Sequence, residues 1–141
     1  MATVFTRIIN GDLPGNFVYR DDTVVAFLSI GPVALGHTLV VPIAEIDQWV
    51  DAPPELWAHL NEVAQLIGRA QKQVTGTPRV GYLIAGFEVP HLHIHVFAAH
   101  DMSGYTLASR ADISEEEMVD VAARLRGALR ELGAGEHVPQ D

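Results

Sequence analysis

Three histidines alternate with aliphatic residues in the stretch His91-Leu92-His93-Ile94-His95-Val96-Phe97. Successive side chains of a β-strand point to opposite faces of the sheet, so the pattern predicts a strand over residues 91–98 with all three imidazoles on one face. The aliphatic face fits a hydrophobic core. The imidazole face does not, because polar rings buried without partners are costly. These histidines therefore require solvent, a ligand or one another.

Three interpretations of this face are open. A solvated face that happens to carry histidine is the least favoured. For a metal site, alternate residues of a strand lie about 6.6 Å apart, so all three imidazoles converge on one ion only with difficulty. Two of them with another residue could still bind zinc. The third interpretation is phosphate chemistry, in which one imidazole attacks phosphorus, the next donates to the leaving group and the third holds the geometry.

The composition narrows the class of protein. A chain of 141 residues is expected to form a single domain, residues 1–141. It has no cysteine, which excludes disulfides and thiolate nucleophiles and suits a reducing, cytoplasmic location. Its net charge of −9 disfavours sequence-independent binding of nucleic acid. No signal peptide and no run of roughly 18 apolar residues is visible, so we expect no membrane partner.

The order of predicted elements indicates an α+β fold, with an antiparallel sheet of roughly five strands and two main helices. Ser114 and Glu117 form the sequence signature of a capping box at the start of the second main helix. Helices are predicted over residues 4–10, 54–74 and 114–132, and strands over residues 17–20, 24–29, 38–41, 80–85 and 91–98.

Four sequence motifs, in their order along the chain, resemble those of the histidine triad (HIT) family. The alternating stretch matches its His-φ-His-φ-His-φ-φ signature, where φ is hydrophobic, and the other motifs extend the resemblance over residues 5–97. The motifs look most like those of the Hint branch, whose members are dimeric nucleotide hydrolases. The resemblance therefore implies a HIT-like fold, with a motif-bearing core over residues 5–100. It also implies a homodimer. The three further motifs are Phe5 to Pro14, Gly36 to Pro42 and Gly86 to Pro90.

The resemblance also implies catalytic roles. His93 falls at the position of the nucleophile, and His95 would contact the phosphate and help the leaving group depart. His91 would orient the nucleophile through its backbone carbonyl, and His37 would support the cluster from a neighbouring strand. The implied reaction is hydrolysis or transfer at the α-phosphate of a nucleoside phosphoramidate or related nucleotide, through a nucleotidyl-histidine intermediate. It needs no cofactor and no metal.

The implied ligand is an AMP-like purine nucleotide. Four apolar residues stand where family members enclose the base, and the loop ahead of the triad stands where they contact phosphate. Ser29 replaces an aspartate that grips the ribose in many members, and Glu88 replaces a serine or threonine, so it could recognise a basic leaving group. The base-enclosing positions are Phe5, Ile8, Phe27 and Ile30, and the loop positions are Gly86, Glu88 and Val89.

Some family members bind structural zinc near the N-terminus. Thr3, Thr6 and Glu45 occupy those ligand positions here, which argues against zinc. Two other functions stay open: a protein that binds or senses a nucleotide without turnover, and a metal-dependent hydrolase. His59, on the first main helix, is interpreted as a surface or packing residue.

Overall fold

A five-stranded antiparallel sheet forms the centre of the computed structural model, which describes residues 2–140. The strands follow the order β1-β2-β3-β5-β4, so β3 and β5 lie side by side although a long helix and β4 separate them in sequence. The predicted α+β class and the five-stranded sheet are confirmed. The bounds are β1 (Phe17–Arg20), β2 (Val24–Leu28), β3 (Thr38–Pro42), β4 (Arg79–Leu83) and β5 (Ile94–Ala99).

Three α-helices accompany the sheet: α1 (Val4–Ile9), α2 (Pro54–Thr75) and α3 (Glu115–Leu129). Helix α2 begins at a proline and ends at Gly76, whose φ of 68° is the left-handed conformation typical of a helix C-terminus. Helix α3 begins with the predicted capping box between Ser114 and Glu117. In the part of the chain that the structure describes, no helix is long and apolar enough to cross a membrane.

The two faces of the sheet bury different residues. On one face α2 and α3 pack against Ala26, Val40 and Ile94, which lie across β2, β3 and β5. The strand residues that alternate with these, such as Phe27 and Leu39, point to the opposite face of the sheet and pack with α1. Every residue of β2 and β3 is therefore buried, as expected for strands that are covered on both faces of the sheet.

The predicted strand over residues 91–98 begins later than expected. β5 starts at Ile94, so His91 and His93 precede it and only His95 of the three histidines lies in the sheet. The pairing stops because Pro42 at the end of β3 has no N–H to donate. Instead, the Pro42 carbonyl contacts His91 Nε2, and the Leu92 N–H donates to the Ile46 carbonyl.

The C-terminal helix also ends earlier than predicted. Helix α3 closes at Leu129 rather than Leu132 and passes into a wider turn over Arg130–Ala134. Gly133 sits in that turn with a φ of 94°, a conformation that glycine adopts without strain. The apolar face of α3 contributes Val121 and Leu125 to the core, so the helix packs on its own sheet and on α2.

Candidate active site

Cross-strand neighbours place His95 on the α1 face of the sheet. Phe27 on β2 pairs with Leu39 on β3, and Leu39 pairs with His95 on β5. The half-buried imidazole therefore lies next to a cross-strand row of Leu39 and Phe27, which belong to the hydrophobic cluster beneath α1. This arrangement places a polar ring beside an apolar surface, the combination that a small-molecule site requires.

A cleft of about 400 Å³ opens on this face. It brings together every predicted site residue except His91, which is fully buried behind it. Ile30 is 82% exposed and lies at the rim rather than in the interior. The cleft is lined by the predicted residues Phe5, Ile8, Phe27, Ser29, Ile30, His37, Gly86, Glu88, Val89, His93 and His95, and further by Val4, Gly31, Val33, Leu39, Ala85, Phe87, Leu107 and Arg110.

Hydrogen bonding fixes the tautomer of His93. Its Nδ1 lies 2.7 Å from the carbonyl oxygen of His91, the contact that the resemblance implied. A carbonyl can only accept, so Nδ1 carries the hydrogen and the neutral ring keeps its lone pair on Nε2. The ring is wedged between Phe5 and His95, with centroid distances of 4.8 and 4.9 Å. His93 thus presents an unprotonated nitrogen in a fixed orientation.

The tautomers of His37 and His95 follow in the same way. The Val33 N–H donates to His37 Nδ1 at 3.0 Å, so His37 carries its hydrogen on Nε2. That Nε2–H donates to His95 Nδ1 at 3.0 Å. His95 therefore keeps its own hydrogen on Nε2, as a donor on the same wall of the cleft as the His93 lone pair.

Burial lowers the pKa of all three of these histidines. The pKa of His37 falls to about 3, because of burial and the neighbouring imidazoles of His95 and His93. The pKa of His95 falls to about 4 through burial and His93. Burial also lowers the pKa of His93, although the hydrogen bond to His91 and the Glu88 carboxylate oppose that shift. At neutral pH the cluster is uncharged, which leaves the His93 lone pair free.

Behind the cleft, His91 is held by a hydrogen-bond network with α1. Its Nε2–H donates to the Pro42 carbonyl at 2.7 Å, and its Nδ1 accepts from the Thr3 hydroxyl at 2.7 Å. The Glu45 carboxylate in turn accepts from the Thr3 N–H and the Thr6 hydroxyl, both at 2.7 Å. These donors lower the pKa of Glu45.

The positions where other family members carry zinc ligands are therefore joined here by hydrogen bonds. Hydroxyl groups are poor zinc ligands compared with thiolates. Among residues 2–140, no three His, Cys, Asp or Glu side chains are grouped so that they could hold a metal ion.

The loop ahead of the triad separates the cleft from a second cavity of about 260 Å³. The two cavities share Ala85, Gly86, Phe87 and His93, so His93 borders both. Gly86 has a φ of 80°, a conformation that other residues rarely adopt, and it turns the chain at this wall. The second cavity is lined further by Asp47, Gln48, Trp49, Ile84 and Leu92.

Eight lining residues were not predicted from the sequence, and Val33, Leu107 and Arg110 are three of them. Val33 contributes its backbone N–H, and a backbone group cannot be recognised from the type of side chain. Leu107 and Arg110 belong to an irregular segment between β5 and α3 that follows neither helical nor strand periodicity. The one available signal was the positive charge of Arg110 in the segment 105–113, which contains no other lysine or arginine.

The chain resembles known proteins over most of its length. The family profile described as the HIT domain matches residues 10–102. An uncharacterised HIT-like protein of Mycobacterium tuberculosis is 31% identical over 140 residues, covering 95% of this chain and 97% of that protein. The adenylylsulfatase HINT3 of Arabidopsis thaliana is 31% identical over 98 residues, which cover 66% of this chain and 50% of that protein.

Solved structures show the same fold. A zinc-bound histidine triad family protein from Mycobacterium smegmatis superposes with a TM-score of 0.82 at 29% identity, covering 96% of this chain and 98% of that one. A hypothetical histidine triad nucleotide-binding protein from Sulfolobus tokodaii superposes with a TM-score of 0.79 at 28% identity, covering 91% and 92%. The motifs, the sheet and these relatives agree, and the chain belongs to the histidine triad (HIT) family of nucleotide-binding hydrolases and transferases.

Proposed function

We propose that the cleft binds a purine nucleotide and that His93 attacks its α-phosphate, displacing the group attached there. The observation that carries this proposal is the fixed tautomer of His93. Its Nδ1–H is held by the His91 carbonyl, and its lone pair on Nε2 is unprotonated at neutral pH. A positioned, uncharged imidazole nitrogen is a competent nucleophile toward phosphorus.

The reaction consists of two displacements. In the first, the Nε2 lone pair forms a bond to phosphorus while the bond to the leaving group breaks. The leaving group departs with the bonding electrons and takes up a proton. In the second, water attacks the same phosphorus, the bond to His93 breaks with its electrons returning to Nε2, and one proton of the water is released. The products are a nucleoside monophosphate and the free leaving group.

His95 and the His91 carbonyl would stabilise charge during these steps. The Nε2–H of His95 donates to the phosphate or to the leaving atom. A bound phosphate brings a negative charge close to His95, so it raises the pKa of His95 from its low value of about 4 and favours the imidazolium form, which can give a proton to the leaving group. The imidazolium-like ring of the intermediate is stabilised by its Nδ1–H bond to the His91 carbonyl, 2.7 Å away.

The apolar end of the cleft would hold the base, and the second cavity would hold the leaving group. Phe5 and Phe27 pack edge to face at 5.7 Å and, with Ile8, form an apolar wall of the cleft. Ser29 would face the ribose, and the Gly86–Val89 loop the phosphate. By resemblance to the Hint branch, we propose a cytoplasmic homodimer as the working form.

The test is to capture the intermediate with adenosine 5′-phosphoramidate as substrate. Wild-type protein quenched during turnover under alkaline denaturing conditions should gain the mass of one adenylyl group on the peptide that contains His93. His93→Ala should give neither the adduct nor AMP. His100→Ala is the matched control, because His100 is exposed outside the cleft and should leave both signals intact.

Each alternative function predicts a different result. Normal turnover in His93→Ala would refute the assignment of the nucleophile. Binding of AMP by calorimetry without any release of product would favour a protein that only binds the nucleotide. Turnover that disappears on exhaustive chelation and returns with added metal would favour a metal-dependent hydrolase.

A further inference from the structure

Arg110 is a cation in the cleft that the proposed reaction does not use. It lies in the irregular segment between β5 and α3, and among residues 2–140 no other lysine or arginine lines the cleft. In that same part of the chain its guanidinium has no hydrogen-bond or ion-pair partner. Because guanidinium is charged at every physiological pH, it adds a permanent positive charge to a site whose imidazoles are neutral.

The position of Arg110 is fixed by contacts with the loop after β2. The Ala111 N–H donates to the Pro32 carbonyl at 2.7 Å, which ties the two segments together. The guanidinium lies directly against Gly31: a Cβ atom there would sit 2.8 Å from Arg110 Cζ and 2.9 Å from Nε. Gly31 does not adopt a left-handed conformation, so the close approach of the arginine is what its missing side chain permits.

Ser29 adds a second donor beside this guanidinium. Its hydroxyl oxygen accepts from the Gly31 N–H at 3.3 Å, and its hydroxyl hydrogen has no acceptor among the described residues. Arg110 and Ser29 therefore both offer donors, while the carboxylate of Glu88, which also lines the cleft, belongs to a different loop. Sugar hydroxyls are bound well by a carboxylate that accepts from them. A guanidinium beside a hydroxyl instead suits the oxygens of a phosphate or sulfate.

We propose that Arg110 and Ser29 bind a second anionic group of the nucleotide, so that the preferred substrates carry a phosphate or sulfate in addition to the phosphate attacked by His93. This inference rests on the proposed function, which places the ribose at Ser29. The contact of Arg110 with the loop of Ser29 and Gly31 favours a phosphate on the ribose. A charge further along the leaving group is the other source of the same chemistry.

The test measures dissociation constants by calorimetry, with AMP as the reference. Adenosine 3′,5′-bisphosphate and adenosine 2′,5′-bisphosphate place the second phosphate on the ribose, and ADP places it beyond the α-phosphate. A charge-assisted contact of this kind should make one of the ribose bisphosphates bind about tenfold more tightly than AMP at low salt. In Arg110→Gln the ratio of the two constants should fall to about one.

Two further variants separate charge from position. Gly31→Ala keeps the arginine but displaces its guanidinium, so the ratio should fall there too. Arg79→Gln is the matched control: Arg79 lies on β4 and lines a different groove, so the ratio should match that of wild type.

The outcomes are distinct. A gain seen only with ADP, and lost in Arg110→Gln, supports the anion site and assigns it to the leaving group. A ratio near one for all three ligands in wild type, or an equal gain in Arg110→Gln, overturns the inference while leaving the proposed function in place. Failure of wild type to bind AMP at all would overturn both.

Discussion

Two histidine sites on opposite faces of the sheet show how the same side chain serves different purposes. In the cleft, His37 and His95 contact each other at 3.0 Å, and no carboxylate is hydrogen-bonded to either ring in the described residues. On the α2 side, His59 Nε2 lies 2.6 Å from the carboxylate of Asp21. The Tyr19 hydroxyl donates to the same carboxylate oxygen at 2.6 Å.

The difference lies in which hydrogen-bonding groups are left unused. Asp21 also accepts from the N–H groups of Thr23 and Val24, so the carboxylate is saturated by its own chain. Burial alone would raise the pKa of Asp21, but these hydrogen bonds outweigh it and hold the pKa well below its usual range. In the cleft, by contrast, the His93 lone pair and the His95 Nε2–H remain available. At His59 the Nε2 atom is taken up by Asp21, whereas in the cleft the Nε2 atoms of His93 and His95 have no partner among the described residues.

Replacing one histidine from each site, His93 or His59, gives the largest expected effect on activity. His93→Ala should reduce kcat by about 10⁴-fold while the protein stays folded, since removal of a nucleophile leaves only binding and positioning. His59→Ala should have its effect on stability instead. It should keep kcat within about twofold and lower the free energy of unfolding by about 1 kcal/mol, a value reduced because His59 is partly exposed.

Steady-state kinetics and urea unfolding measure both quantities on the same preparations. Loss of activity in His59→Ala at full stability would break the comparison, because the Asp21 site would then also serve catalysis.

Sequence reasoning succeeded where the controlling interactions are local. The capping box at Ser114 and the bounds of α2 depend on neighbouring residues: the box forms as predicted, and the helix predicted over residues 54–74 spans Pro54–Thr75. Most of the predicted residues that line the cleft were identified from the family motifs, each of which contributes several neighbouring residues to it. The start of β5 was predicted wrongly because Pro42, which stops the ladder, lies on another strand.

Other features depend on contacts between distant segments. His59 and Asp21 are 38 positions apart, and nothing in the sequence near either residue indicates that they meet. Arg110 reaches the cleft only because the Ala111 N–H finds the Pro32 carbonyl. Neither contact leaves a periodic pattern, so composition and spacing could not reveal it.

His91 sharpens the comparison, since it belongs to the signature yet has both ring nitrogens hydrogen-bonded within the protein. Glu45 acts on it through Thr3, and His91 in turn holds His93. We expect Glu45→Ala to loosen this chain of contacts and lower kcat about tenfold, with a smaller change in KM, because small errors in position are costly at a reacting centre. Glu45 is a positioning residue in this scheme.

The conservative variant distinguishes positioning from charge. Glu45→Gln keeps a carbonyl oxygen for the Thr3 and Thr6 donors and should retain most of kcat. If Glu45→Gln were as impaired as Glu45→Ala, the negative charge rather than the hydrogen bonds would be the active feature. Equal activity in all three proteins would show that His91 needs no support from Glu45.

The smallest expected effect separates the two sites by pH. His37 and His95 have pKa values of about 3 and 4 in the folded protein, below the value of about 6.5 for an unperturbed histidine. The unfolded chain therefore binds more protons, and stability falls as the pH drops from about 6.5 toward 4. The depressed pKa of Asp21 acts in the same direction, but only below the unfolded value of about 3.9.

Urea unfolding between pH 7 and 3 should resolve these two windows. His95→Gln should flatten the dependence of stability on pH above about 4 and leave the acidic part intact, while Asp21→Asn should flatten only the acidic part. Each change should amount to about 1 kcal/mol, since both groups retain some contact with solvent. Identical profiles for the two variants would mean that the two sites titrate together. The difference in electrostatics between the Asp21–His59 site and the cleft histidines would then be disproved.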